Sequence, residues 1–96
     1  MANYLVRIEL FEATADNYDR LHANMDALGI ERTVRYSNGN LYQLPTGTYF
    51  GPSNLDTAAL LAKIKAFATP QSPKKEPSIF LAQVNGSEWT SALYPA

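Results

Sequence analysis

The chain has no cysteine and one histidine, His22. The missing thiols exclude disulfides, thiolate metal sites and cysteine nucleophiles, and they fit a reducing compartment. With a single histidine, no Cys–His set for structural zinc can be assembled, and no metal or cofactor is expected. No apolar run approaches the ~18 residues of a membrane helix. Met1-Ala2-Asn3-Tyr4 lacks the basic stretch and apolar core of a signal peptide. The reading is a cytoplasmic chain with no membrane partner. Strong charge of either sign is also absent. Eight Lys and Arg against nine Asp and Glu leave a net charge of −1, so no global field draws nucleic acid to the protein. There is no glycine-rich phosphate loop, no HExxH, no G-x-S-x-G and no basic-Gly-aromatic signature of an RNA-recognition strand.

What is present suits one small domain. Ninety-six residues, 46% of them hydrophobic, with six Tyr, four Phe and one Trp, support a single core over residues 1–96. A chain this short buries roughly 60–65% of its unfolded surface. Function therefore belongs on a face, a groove or a subunit interface.

Tyr4, Val6, Ile8 and Leu10 alternate with Leu5, Arg7, Glu9 and Phe11, the period of a strand over residues 3–11. Thr14 suits a helix cap. Tyr18, Leu21, Met25 and Leu28 then draw one apolar stripe on a helix that ends at Gly29. Residues 30–36 form a second strand, and Asn38-Gly39 predicts a type I′ hairpin into a third strand at 41–44. Pro45 and Gly47 interrupt that strand, and Tyr49 and Phe50 resume it. Gly51-Pro52 breaks the chain. Ser53 or Asn54 caps a second helix, with Leu60, Leu61, Ile64 and Phe67 as its stripe and Asp56 as a capping-box partner of Ser53. Three prolines make residues 69–77 an irregular loop, residues 78–84 a last strand, Asn85-Gly86 a turn, and 89–94 a short strand or packed tail. The order β-α-β-β-α-β predicts an α+β, ferredoxin-like fold. Its four-stranded antiparallel sheet has order 4-1-3-2, with both helices on one face. That fold hosts many functions and selects none.

His22 is the one side chain with an unperturbed pKa near neutrality. It lies about 80° from the apolar stripe, sharing a helix flank with Asp19 and Asp26. This suits an acid–base residue, and it equally suits a solvated helix edge. Arg20 lies on the far side of the same helix. Arg7 and Arg35 fall on the open face of the predicted sheet, where they either hold phosphates or pair with Glu9, Glu12 and Glu31. Tyr42 either stacks on bases or packs. Leu5 and Phe11 on the non-core strand face predict a homodimer interface.

The run Tyr4-Leu5-Val6-Arg7-Ile8, the helix with Tyr18, Leu21 and Met25, its Gly29-Ile30 stop, Thr33-Val34, and Leu41-Tyr42-Gln43-Leu44-Pro45 together resemble the GhoS-type family of small bacterial proteins. The resemblance covers most of residues 4–84. It implies a ferredoxin-like fold and a toxin–antitoxin context, the antitoxin of a type V pair that cleaves toxin messenger RNA as an endoribonuclease. The family's emphasis on arginine in the first helix falls on Arg20 here, and a second candidate position is occupied by His22. The resulting expectation is an RNA-directed antitoxin, metal-independent, with Arg20 or His22 catalytic and Arg7, Arg35 and Tyr42 binding RNA. The alternative is a non-catalytic dimeric module or inhibitor from a phage or mobile element, acting on a protein partner. The residues leave enzyme status open.

Overall fold

The computed structural model describes residues 1–85 and 89–96. In chain order the elements are β1 (Ala2–Glu9), α1 (Ala15–Leu28), β2 (Thr33–Arg35), β3 (Leu41–Gln43), β4 (Thr48–Ser53), α2 (Thr57–Ala68), a 3-10 turn (Thr69–Gln71), β5 (Ser78–Val84) and β6 (Tyr94–Pro95). Among the described residues no helix is long and apolar enough to cross a membrane.

The two helices begin and end where local chemistry directs. Thr14 accepts the Asn17 N–H while the Asn17 side chain accepts the Thr14 N–H, a reciprocal cap that satisfies two orphan donors. Gly29 closes α1 at φ 83°, a left-handed conformation that costs glycine nothing in sterics. Asp56 caps α2 through the Ala59 N–H, in place of Ser53 or Asn54; the Ser53 hydroxyl accepts the Leu55 N–H instead.

Tyr4, Val6 and Ile8 of β1 bury one face with Leu21, Met25, Leu60 and Ile64, so both helices cover the same side of that strand. Leu61 turns outward, and Ala68 takes a place in the core instead. The loop over residues 69–77 holds a 3-10 turn, with Pro70 early in that turn, where its missing N–H is not needed. Ser72 is buried there and accepts the Phe11 N–H at 2.9 Å.

The sheet differs from the single four-stranded, ferredoxin-like sheet predicted from element order. There are two three-stranded sheets, β4-β1-β5 and β2-β3-β6, with antiparallel neighbours throughout. The cause lies in residues 45–48. The Thr48 N–H bonds the Pro45 carbonyl, and Gly47 takes φ 76°, the positive value a type II turn needs at its third position. This turn separates β4 from β3, and β4 pairs with β1 instead of extending the hairpin. Among the described residues the sheets meet at one bridge, where Glu31 and Phe50 exchange both backbone hydrogen bonds at 2.9 and 2.8 Å. β6 then completes the smaller sheet on β3.

Two local readings also change. Gly51 and Pro52 lie inside β4, an edge strand with only one full-length neighbour, where proline is tolerated. The hairpin turns at the predicted place but in another form. Tyr36 bonds Asn40 and Gly39 through its N–H and carbonyl, and Gly39 alone has positive φ there. That is a three-residue loop with a glycine bulge rather than type I′. The Asn85-Gly86 turn lies partly outside the described residues.

Candidate functional site

The joint between the two sheets leaves a cleft of about 320 Å³ lined by His22, Arg32, Thr33, Gln43, Thr46 and Gly47, with Leu44, Pro45 and Ala96 completing the wall. Each contribution follows from the fold. α1 presents His22 on its flank. The link from the Gly29 stop to β2 carries Arg32. The turn that splits the sheets supplies Thr46 and Gly47. A single continuous sheet would have no such turn at this place.

His22 is held from below. Its Nδ1 lies 2.8 Å from the Tyr49 hydroxyl, and its ring centroid is 5.8 Å from that of Tyr49 and 6.2 Å from that of Tyr18. Tyr49 sits opposite Val6 on the core face and is fully buried. Burial pushes its phenol up to about 12, against a smaller opposing pull from Arg32. The phenol is therefore protonated at any physiological pH. Among the described residues its one hydrogen-bond partner is His22 Nδ1. A buried hydroxyl hydrogen needs an acceptor. The Tyr49 O–H accordingly donates to Nδ1, and the neutral imidazole carries its proton on Nε2.

Burial, and then the nearby Arg32 charge, lower the His22 pKa; Asp19 and Asp26 oppose this more weakly. Flanking carboxylates alone would raise it. The net direction is down because the same side chain is tucked against Tyr49 and near Arg32. The imidazole is neutral at pH 7. In the unfolded chain it titrates near ~6.5, so on acidification the unfolded state binds the proton first. This group's contribution to stability is full above ~6.5 and is lost as pH falls toward the lower folded pKa. Urea unfolding midpoints measured from pH 8 to pH 5 should drop through this window, and His22→Gln should flatten that drop. A midpoint that rises on acidification would contradict the assignment.

The other sequence candidates lie elsewhere. Arg20 is exposed on the far side of α1, its Nη1 3.5 Å from Gln71 Oε1, and it does not line the cleft. Arg7 and Arg35 do not share one open face: Arg7 is on β1, while Arg35 is on β2 in the other sheet, where it donates to the Gly39 carbonyl. The Glu9–Arg35 cross-strand pair is lost for the same reason. Tyr42 stacks on Tyr36 with centroids 3.9 Å apart. Leu5 and Phe11 are also separated. Leu5 faces Phe50 and Ala82 across β1, whereas Phe11 lies beyond the end of β1 with Lys75 Nζ 4.3 Å over its ring. Among the described residues no three His, Asp or Glu side chains converge to hold a metal ion.

Sequence reasoning passed over Arg32 and Tyr49 as site residues, together with Thr33, Gln43 and Thr46 of the cleft wall. None of them carries a spacing signal. Tyr49 is 27 positions from His22, and only the pairing of β4 with β1 brings its hydroxyl there. No protein-family model matches the chain, and no curated protein matches it.

Proposed function

We propose that this cleft holds a phosphate group of an RNA chain, making the protein an RNA-directed, antitoxin-like binder. The observation that supports this reading is the convergence of Arg32 and His22 on one open cleft. Arg32 supplies a permanent charge and a planar fork of donors. His22 offers a neutral Nε2–H that does not compete with a bound anion for protons. Thr33, Thr46 and Gln43 add hydroxyl and amide donors on the same walls. RNA is favoured over other phosphates by the pattern of residues 4–84. The stacked Tyr36–Tyr42 pair, on the same hairpin as Thr33 and Gln43, adds support.

The tautomer set by Tyr49 favours recognition over cleavage. A neutral imidazole protonated on Nε2 has no lone pair facing the cleft with which to activate a 2′-hydroxyl. Cleavage is the second reading. It is favoured by a near-neutral base beside a cation able to stabilise a phosphorane, and it requires the ring proton to move to Nδ1.

The test is fluorescence anisotropy of an end-labelled single-stranded RNA oligonucleotide, with chelator present. Arg32→Ala should weaken binding at least about tenfold, the value of a charge-assisted hydrogen bond. It should also reduce the salt slope by about 0.7. Arg20→Ala should leave affinity unchanged. Affinity should rise on acidification toward the lowered His22 pKa, because a bound phosphate favours imidazolium. Absence of RNA binding by wild type, or equal binding by Arg32→Ala, would remove the proposal. Fragments ending in 2′,3′-cyclic phosphate, abolished by His22→Ala, would select the cleavage reading.

A further inference from the structure

The side of the β4-β1-β5 sheet away from the helices carries a second cavity of different chemistry. It is a crevice of about 230 Å³ between that sheet, the smaller sheet and the C-terminal segment. Leu5, Phe50 and Val84 form one wall, Val34 and Leu44 another, and Trp89 a third. The Trp89 and Phe50 rings meet at 5.5 Å, tilted by 54°. The crevice is half open to solvent, and its lining is predominantly apolar, the usual character of a small-molecule site.

A second observation gives the crevice a polar specificity. Thr48 lines it and is only 5% exposed, and its Oγ1 has no hydrogen-bond partner among the described residues. Leaving a buried hydroxyl unpaired is costly. Oγ1 itself is closed to solvent, so pairing it with a molecule in the crevice requires rotation about χ1, which exchanges the hydroxyl with the methyl.

We propose that this crevice binds a small, mostly apolar molecule carrying one hydroxyl, with that hydroxyl paired to Thr48 Oγ1. Size follows from volume. A cavity of about 150 Å³ takes benzene, so this one takes a molecule of roughly nine non-hydrogen atoms. Pro45 and Leu44 belong to the walls of both this crevice and the His22 cleft, so the two sites are back to back across one segment. The proposal does not depend on what the His22 cleft binds.

Trp89 is the only tryptophan and reports from within the wall. The probes are 2-phenylethanol and propylbenzene, equal in heavy atoms but differing in the hydroxyl. Titration should give a saturable change in Trp89 emission below about 1 mM for 2-phenylethanol. Thr48→Val should weaken that compound about fivefold, the value of one neutral hydrogen bond, and leave propylbenzene within about twofold. Val84→Phe, which fills the crevice from β5, should abolish both responses. No saturable response from wild type, or equal effects of Thr48→Val on both compounds, overturns the proposal. Sedimentation showing a dimer whose formation alone shifts Trp89 emission also overturns it, since a second copy would then be the occupant.

Discussion

Gly51→Ala should cost about 4 kcal/mol or more, leaving a domain of this size close to its unfolding threshold. A Cβ at Gly51 would lie 2.1 Å from the Gly29 carbonyl oxygen, 2.8 Å from Ile30 Cα and 3.0 Å from Gly29 C. All three are backbone atoms, so no side chain can turn aside. The backbone there is also held in place. The Gly29 N–H bonds Asp26 and the Ile30 N–H bonds Met25, at 2.9 and 3.2 Å, and Ile30 is fully buried. Moving β4 away instead would strain the Glu31–Phe50 bridge that joins the two sheets. Gly39→Ala is the internal control. Nothing lies within 4 Å of its Cβ, so it meets only the strain of φ 86°, about 1 kcal/mol. Urea unfolding followed by far-ultraviolet circular dichroism separates the two. A loss below about 1.5 kcal/mol for Gly51→Ala would show that the sheets are not joined this closely.

Tyr49 links the core to the cleft, and its substitutions should divide those roles. Tyr49→Ala removes a fully buried ring packed between Val6 and α1, and should destabilise the protein by about 3–5 kcal/mol. Tyr49→Phe keeps the ring and should cost only about 1 kcal/mol. It removes the hydrogen bond that fixes the imidazole tautomer, while burial and Arg32, the causes of the lowered pKa, stay in place. The His22 pKa should therefore stay below its ordinary value of ~6.5, and the ring proton should no longer be confined to Nε2. His22 is the only histidine, so its ring resonances can be followed through a pH titration without assignment. Ring nitrogen shifts that still place the proton on Nε2 in Tyr49→Phe would mean that the phenol does not set its position. In that case the argument for recognition over cleavage would lose its basis.

Much of the secondary structure was legible because its causes are local. The stripe of Leu21 and Met25, the Thr14 cap and the Gly29 stop placed α1 over Ala15–Leu28, and apolar alternation placed Tyr4, Val6 and Ile8 in the core. β5 runs over Ser78–Val84, as the flanking breakers required, and the hairpin turns at Asn38-Gly39. Each of these depends on residues within about four positions of one another, where capping, turn and periodicity rules operate. The form of that turn was not legible. Asn-Gly fits both a two-residue and a three-residue loop, and the choice rests on how Thr33–Arg35 registers against Leu41–Gln43.

Only the tertiary structure decided the division into two sheets and the composition of the cleft. Element order alone suggested one sheet, because it says which strands exist and not which edges they pair with. Pro45 and Gly47 were visible as an interruption, yet whether β4 resumed the hairpin or crossed to β1 depended on burying Tyr49 against Val6. The same choice carried the Tyr49 hydroxyl to His22 and set Arg32 at the joint, while Arg20, the cation nearest to His22 in sequence, stayed on the opposite side of α1. Helical geometry puts residues two positions apart on different faces, whereas strand pairing brings together groups dozens of positions apart. The single histidine therefore pointed to the site, and its partners were chosen by non-local pairing that no local pattern encodes.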